Sequence, residues 1–383
     1  MGQTIQFAGS RSLVTEKPSN ARCRVLLVFA SLGGGGAEKV MVTLSQHFDR
    51  DRFETHIAVA SAKGPLLAEV PTDVVLHDLH ARRIRYCIPN LLRLIWRLRP
   101  AAILSTSVHV NVPLLAIRSL LPQGTKIFVR ENSTPSAEVD AMGGLRRKKL
   151  LYDWFYSGAK AVICQSDAML EDLYEQFGVP REKMVRIYNP VDGERIRQLA
   201  NAEPNPFNGS GPHLVASGRL EPAKGFDILL AAMVKIHRSI PSAHLSILGD
   251  GSLEGQLRHQ CARSRLNSTV SFVGFRTNPF PFYANADLFV LSSRYEGLPN
   301  VMLEAMALNT PVVATDCPGG IREIVKGWPN CRLARAEDPV SLAEAMVASL
   351  QQKRQLNESP QGRCFDQTLL SYAVGAYENL ILS

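Results

Sequence analysis

Arg294-Tyr295-Glu296-Gly297-Leu298-Pro299-Asn300-Val301-Met302-Leu303-Glu304-Ala305-Met306-Ala307 places two acids eight positions apart around a single turn. The apolar run Leu288–Leu291 just before it reads as a buried strand. Gly297 and Pro299 break that strand, and from Asn300 onward Val301, Leu303, Ala305 and Met306 are spaced as on a packed helix. Glu296 then belongs to the turn and Glu304 to the second helical turn. In an open α/β sheet, ligands bind where the carboxyl end of a strand leads into a helix, and the free N–H groups there favour phosphate. A carboxylate on either side of such an anion site suits sugar hydroxyls. Taken alone, the pair also fits a solvated helix carrying two surface acids.

The same strand-then-helix alternation runs outward in both directions and predicts a parallel α/β architecture. Before the quoted turn, strands are expected near Arg24–Ala30, Thr55–Ala60, Val74–His77, Ala101–Leu104, Lys126–Val129, Ala161–Cys164 and Met184–Ile187. Residues 189–212 carry Pro, Asn and Gly without apolar periodicity and read as a linker. A second set follows near His213–Ala216, His244–Leu248, Val270–Val273, Leu288–Leu291 and Val312–Ala314, giving two similar halves with a cleft between them. The last segment, Phe365–Leu382, has helical spacing of its apolar residues.

A chain of 383 residues with 45% hydrophobic content is long enough for two globular domains. No apolar run is long enough to span a membrane, and residues 1–22 lack the apolar core of a signal peptide and read as a disordered leader. The seven cysteines form no C-x-x-C pair and no zinc spacing, as in reduced cytosolic proteins. A net charge of +8 calls for an anionic partner, and nucleic acid, a membrane surface and a sugar nucleotide all qualify. No nucleic-acid recognition motif of the usual kinds is present.

Three further segments carry candidate chemistry. Ser217-Gly218-Arg219-Leu220-Glu221-Pro222-Ala223-Lys224-Gly225 follows a strand and opens a helix, so Arg219 and Lys224 can meet at one anion. Ser31-Leu32-Gly33-Gly34-Gly35-Gly36-Ala37-Glu38 lets the backbone approach a ligand closely, although its spacing is not the dinucleotide fingerprint and a flexible turn also fits. His109 is expected on a loop past the fourth strand, where it is a catalytic candidate or an ordinary surface residue. Asp49-Arg50-Asp51 follows a helix and reads as a solvated turn, and no metal-ligand cluster is evident.

The quoted segment, with its continuation Pro311-Val312-Val313-Ala314-Thr315-Asp316, resembles the E-x7-E signature of the retaining GT-B glycosyltransferases of family 4. Asn309 stands where that family usually has Gly, at a helix end where Asn tolerates a left-handed backbone. The resemblance is strongest from Leu214 to Val325. It implies two Rossmann-like domains facing a cleft: an acceptor-binding domain over 23–190, a nucleotide-sugar-binding domain over 191–364, and a final helix, 365–383, crossing back onto the first domain. It implies a UDP-sugar donor, with Glu296 on the sugar, Glu304 on the ribose and Arg219 with Lys224 on the diphosphate. Gly34 and Gly35 would line the cleft, His109 would face the reacting sugar, and Gly274 and Phe275 would sit beside the base, although Phe275 fits a core position too. Gly297, Leu298, Asn300 and Val301 would complete the donor pocket. No cofactor and no metal are expected, since fixed cations and a helix N-terminus can stabilise the leaving phosphate.

The expected acceptor is a membrane-bound or lipid-linked glycan of polysaccharide or lipopolysaccharide synthesis. Arg82–Arg99 holds six Arg and no acid beside Leu, Ile and Trp. Arg146, Arg147, Lys148 and Lys149 precede Leu150, Leu151, Trp154 and Phe155. With Arg93 and Arg97 they are candidates for contact with anionic lipid on the cytoplasmic face, although ordinary amphipathic packing gives the same pattern. A nucleotide-sugar epimerase of the same fold and a catalytically silent binding subunit are the alternative functions.

Overall fold

The computed structural model of the chain describes residues 22–81, 83–142, 145–326, 328–352 and 369–383. Apart from Arg22, the expected leader lies outside these residues. The first half forms a seven-stranded sheet of β1 (Cys23–Ser31), β2 (Phe53–Ser61), β3 (Val75–Asp78), β4 (Ala102–Thr106), β5 (Lys126–Arg130), β6 (Ala161–Cys164) and β7 (Met184–Arg186). The second half forms a six-stranded sheet of β8 (His213–Ser217), β9 (His244–Leu248), β10 (Val270–Gly274), β11 (Leu288–Leu291), β12 (Val312–Asp316) and β13 (Cys331–Arg335). Every neighbouring pair is parallel.

Helices cover both faces of each sheet, which is why the central strands are continuous apolar runs instead of alternating ones. Val25-Leu26-Leu27-Val28-Phe29 is fully buried along its whole length. The orders β3-β2-β1-β4-β5-β6-β7 and β10-β9-β8-β11-β12-β13 both reverse direction beside the first strand of the half. At such a reversal the loops leaving two adjacent strands diverge and open a crevice. The molecule thus has two Rossmann-like domains, each with one switch point, and the loops that leave β1, β4, β8 and β11 face one another.

Twelve of the thirteen strands fall where the sequence places them. β13 was missed because it is an edge strand in which only Ala334 is buried, and its Arg332 and Arg335 break any apolar signal. The linker reading of 189–212 needs correction as well. Gly193–Ala200 is a helix, capped by the Asp192 carboxylate on the Arg195 amide at 2.9 Å, and Ile196 and Ala200 pack into the second domain. With only two buried side chains in eight residues, its apolar face is too narrow to read as a period. Asn309 does take the left-handed conformation, at φ 56°.

The C-terminal helix, Leu370–Leu382, leaves the second domain and packs on the first through Val374, Tyr377 and Ile381. Val191 and Leu369 form a parallel bridge where the chain passes between the domains. Glu378 fixes the helix: its carboxylate accepts from the Asp49 amide at 2.7 Å and from Arg52 Nη1 at 3.0 Å. Glu378→Ala leaves that amide without its acceptor and should cost about 1–3 kcal/mol in urea unfolding, with faster amide exchange along the helix. Unchanged stability would mean that apolar packing alone holds it.

Candidate functional site

The two sets of loops enclose a cleft of about 540 Å³, lined by Gly33–Gly36, Thr106, His109 and Arg130 on the first domain and by Arg219, Lys224, Phe275, Glu296, Asn300 and Glu304 on the second. The Glu296-Gly297-Leu298 turn after β11 sits directly against the first domain. A Cβ on Gly297 would lie 2.5 Å from the Asn132 carbonyl oxygen of the other domain, so only glycine fits. Beside it, the Glu296 carbonyl accepts from Thr134 Oγ1 at 2.8 Å, and the Leu298 carbonyl accepts from Asn189 Nδ2 at 3.0 Å.

Both acids of the quoted segment reach the cleft, each only 7% exposed. Glu296 Oε1 accepts from Lys224 Nζ and from Ser293 Oγ, both at 2.6 Å. Glu304 Oε1 accepts from Lys39 Nζ at 2.6 Å, across the interdomain gap. Among the described residues neither Oε2 is engaged, so each carboxylate keeps an oxygen for a ligand. Lys224 and Glu296 are neighbours, and Arg219 is exposed with no carboxylate partner among the described residues. Asn300 opens the helix Asn300–Ala307, and its side chain spans the gap, donating to the Gly36 carbonyl at 2.9 Å and accepting from Asn189 at 2.6 Å. The main-chain amides of Asn300 and Val301 have no acceptor among the described residues, as at any uncapped helix start.

Across the cleft, Gly34 has φ 90° and its Cβ position is 3.2 Å from the Phe275 ring, so the glycine loop and this ring face each other directly. Phe275 is 41% exposed, which settles it as cleft lining and not core; it follows Gly274, at φ 80°, off the end of β10. The Gly35 amide donates to Glu38 Oε2 at 2.7 Å and Ser31 Oγ donates to Oε1 at 3.0 Å, so this acid shapes the glycine loop. Leu298 lines the cleft but is buried, and Val301 lines it beside Asn300.

His109 is not on a loop. β4 runs on to Thr106, Ser107 turns at φ 78°, and His109 is the second residue of the helix Val108–Ala116. Crowding lowers its pKa below the ordinary 6.5, while the Glu38 and Glu138 carboxylates pull it upward.

Among the cleft residues that sequence reasoning missed are Lys39 and Arg130. Lys39 carries no signal beyond its place after the glycine run. Arg130 sits at the end of β5 and is almost wholly buried, with Nη1 donating to Thr106 at 3.1 Å and to Asn132 at 2.7 Å, and Nη2 to Asn189 at 2.6 Å. An Arg ending an apolar strand looks like a solvated terminus until the tertiary structure closes over it.

Of the basic residues expected to face a membrane, Arg93, Arg97 and Lys149 are exposed, and Trp96, Leu150 and Trp154 stand exposed beside them, Trp154 at 69%. Lys148 is different: its ammonium pairs with Glu138 at 2.8 Å and its side chain is mostly covered, so it is not a free surface cation. The side chains of Arg146 and Arg147 lie outside the described residues. No described helix is long and apolar enough to cross a membrane.

A family profile described as Glycosyltransferase Family 4 matches residues 34–195, and one described as Glycosyl transferases group 1 matches residues 211–352. The chain belongs to this glycosyltransferase family. An uncharacterized glycosyltransferase of Methanocaldococcus jannaschii is 31% identical over 62% of this chain and 60% of its own length. The chain thus spans about three fifths of that relative. The N-acetylgalactosamine-N,N'-diacetylbacillosaminyl-diphospho-undecaprenol 4-alpha-N-acetylgalactosaminyltransferase of Campylobacter jejuni is 28% identical over 77% of this chain and 81% of its own. Among solved structures, Anabaena HepE in complex with UDP-glucose superposes with a TM-score of 0.74 at 19% identity, covering 94% of this chain and 99% of that one. That likeness establishes the GT-B fold.

His109 is exposed at the cleft, yet the protein around its ring removes part of its water, and it is expected to titrate below 6.5 when followed by NMR, because that partial desolvation disfavours the imidazolium. Glu38→Gln and Glu138→Gln should each move the midpoint lower still, since each removes an attraction for the proton. A folded-state pKa below the unfolded one means stability is lost as pH falls through the window beneath 6.5. A midpoint at or above 6.5 would contradict the crowding.

Proposed function

We propose that this glycosyltransferase moves a sugar from a UDP-sugar to a membrane-associated glycan or lipid-linked acceptor, retaining the anomeric configuration. The observation that carries the reading is the convergence of Lys224, Arg219, Glu296 and the open amides of Asn300 and Val301 on one wall of the cleft. As the glycosidic C–O bond breaks, its electron pair passes to the diphosphate, and cations and amides already aimed at that oxygen lower the barrier. Glu296, held by Lys224 and Ser293, offers its free oxygen to sugar hydroxyls, and Glu304 offers its own to the ribose. The incoming hydroxyl approaches from the first domain, past His109, and its proton passes to the departing diphosphate oxygen as the new glycosidic bond forms on the same face.

The UDP donor finds support in HepE, which shares the fold and was crystallised with UDP-glucose. The lipid-linked acceptor finds support in the diphospho-undecaprenol named for the Campylobacter relative. With charge stabilisation supplied by side chains and amides, transfer should proceed without a divalent metal.

In a transfer assay, Glu304→Ala should weaken UDP binding by roughly 30- to 100-fold, the loss of a hydrogen bond to a charged group. Glu296→Ala should mainly lower kcat, by about 10²-fold. Wild-type rates should persist after exhaustive chelation. Normal kinetics in both variants would overturn the site assignment, and activity restored only by manganese or magnesium would overturn the metal-free reading.

The acceptor side has its own test. Arg93, Arg97 and Lys149, beside exposed Trp96, Leu150 and Trp154, suit attraction to anionic lipid together with shallow apolar insertion. Co-sedimentation should show capture by anionic vesicles, little by neutral ones, and release as added salt shortens the Debye length. Changing Arg93, Arg97 and Lys149 together to Glu should abolish most capture and leave UDP affinity intact. Equal capture by neutral and anionic vesicles would return these helices to ordinary packing.

A further inference from the structure

Lys39 is the fourth residue of the helix Gly36–His47, and its side chain leaves the first domain to end against the second. Val40, Met41, Val42 and Leu44 of the same helix are buried, so the backbone that carries it is firmly seated. Its ammonium meets two second-domain groups: Glu304 Oε1 at 2.6 Å and the face of the Phe280 ring, 4.9 Å from the centroid. An acid and an aromatic face together make a socket for one cation. At the start of the helix the Gly36 carbonyl accepts from Asn300 Nδ2 at 2.9 Å, so this first turn is bonded at two points to the helix Asn300–Ala307. The pair is not packed solid, because Lys39 and Glu304 line both the cleft and a smaller cavity of about 80 Å³. Glu304 is thus fixed by one oxygen from across the gap, and its Oε2 has no partner among the described residues.

We propose that Lys39 is a positioning residue for the donor's ribose: its ammonium, from the opposite domain, holds Glu304 with the second oxygen turned to the nucleotide, so the ribose site is complete only while the two domains are together. The proposal deepens the nucleotide-donor reading and rests on the assignment of Glu304 to the ribose. An untethered carboxylate samples several rotamers, and binding a ribose hydroxyl must then order it. With Oε1 already taken by an ammonium in a fixed socket, that ordering is done before the nucleotide arrives. Lys39 acts through Glu304 and does not itself touch the nucleotide. An ammonium can also attract phosphate directly, and the two modes differ in what they discriminate. Positioning Glu304 sets the preference for ribose hydroxyls, whereas attraction to phosphate acts alike on every nucleotide of the same charge.

The test is calorimetric titration of wild type, Lys39→Met, Lys39→Arg, Glu304→Ala and the double variant Lys39→Met/Glu304→Ala with UDP and with its 2′-deoxy and 3′-deoxy forms. Lys39→Met should bind UDP about ten-fold more weakly and lose most of the preference for UDP over the deoxy form that Glu304 distinguishes. Lys39→Arg keeps a charge and its donors, and should stay within about three-fold of wild type with the preference intact. The double variant should bind UDP no more weakly than Glu304→Ala alone, because the lysine acts only through the acid. That variant leaves no Glu304 carboxylate unpaired, so it decides the matter even if Lys39→Met folds poorly: equal affinity supports the proposal and a further loss overturns it. Unchanged UDP affinity in Lys39→Met, or one uniform loss for UDP and both deoxy forms, overturns the proposal and leaves the donor reading standing. If wild type binds no UDP or shows no preference over either deoxy form, or if Glu304→Ala keeps full affinity, the assignment of Glu304 fails and the proposal fails with it.

Discussion

Everything in the cleft depends on the close approach of the Glu296-Gly297-Leu298 turn to the first domain. With the Asn132 carbonyl oxygen 2.5 Å from where a Gly297 Cβ would stand, the two backbones meet directly, and Thr134 and Asn189 bind the carbonyls on either side. Such a contact fixes the distance between the walls more tightly than interdigitated side chains do, because backbone has no rotamers to yield. The catalytic candidates on either wall are thereby held at one spacing.

Electrostatics then decides how the cleft holds its charges. Two carboxylates and two ammonium groups are paired off, Lys224 with Glu296 inside one domain and Lys39 with Glu304 across the gap. Both acids are largely buried, where an unpaired charge is costly, so the pairs offset that cost. On the proposed reading, a diphosphate near Lys224 and a ribose near Glu304 would not have to break these pairs, because each acid keeps an oxygen and each ammonium has further donors. Arg130 behaves differently: it is a buried cation bonded to neutral oxygens of Thr106, Asn132 and Asn189. Those three bonds tie β4, β5 and the chain after β7 together beneath the cleft floor.

The architecture was legible because a parallel sheet covered on both faces writes itself as uninterrupted apolar runs, and because Gly297 and Pro299 mark the turn where strand gives way to helix. The second-domain site was legible for a related reason. Its acids and cations lie on two short stretches, each spanning one strand-to-helix turn, so local spacing carries their geometry. The first-domain wall was not. Lys39, Arg130 and Asn189 come from separate parts of the chain and acquire meaning only when β1, β5 and β7 stand side by side. His109 was placed one element too early because Ser107 turns through a positive φ that favours no serine. Lys148 looked like a free cation because its partner Glu138 lies on another helix.

The bridge between Val191 and Leu369 has a mechanical consequence. The backbone travels from one domain to the other beside Val191 and returns beside Leu369, so the two passages run side by side along one edge of the molecule. Two adjacent tethers act as a spine. Sliding or twisting of one half against the other would stretch one tether against its neighbour, so the bridge sets the two domains in one alignment along that line and backs up, from the far side, the spacing that the Gly297 contact holds within the cleft.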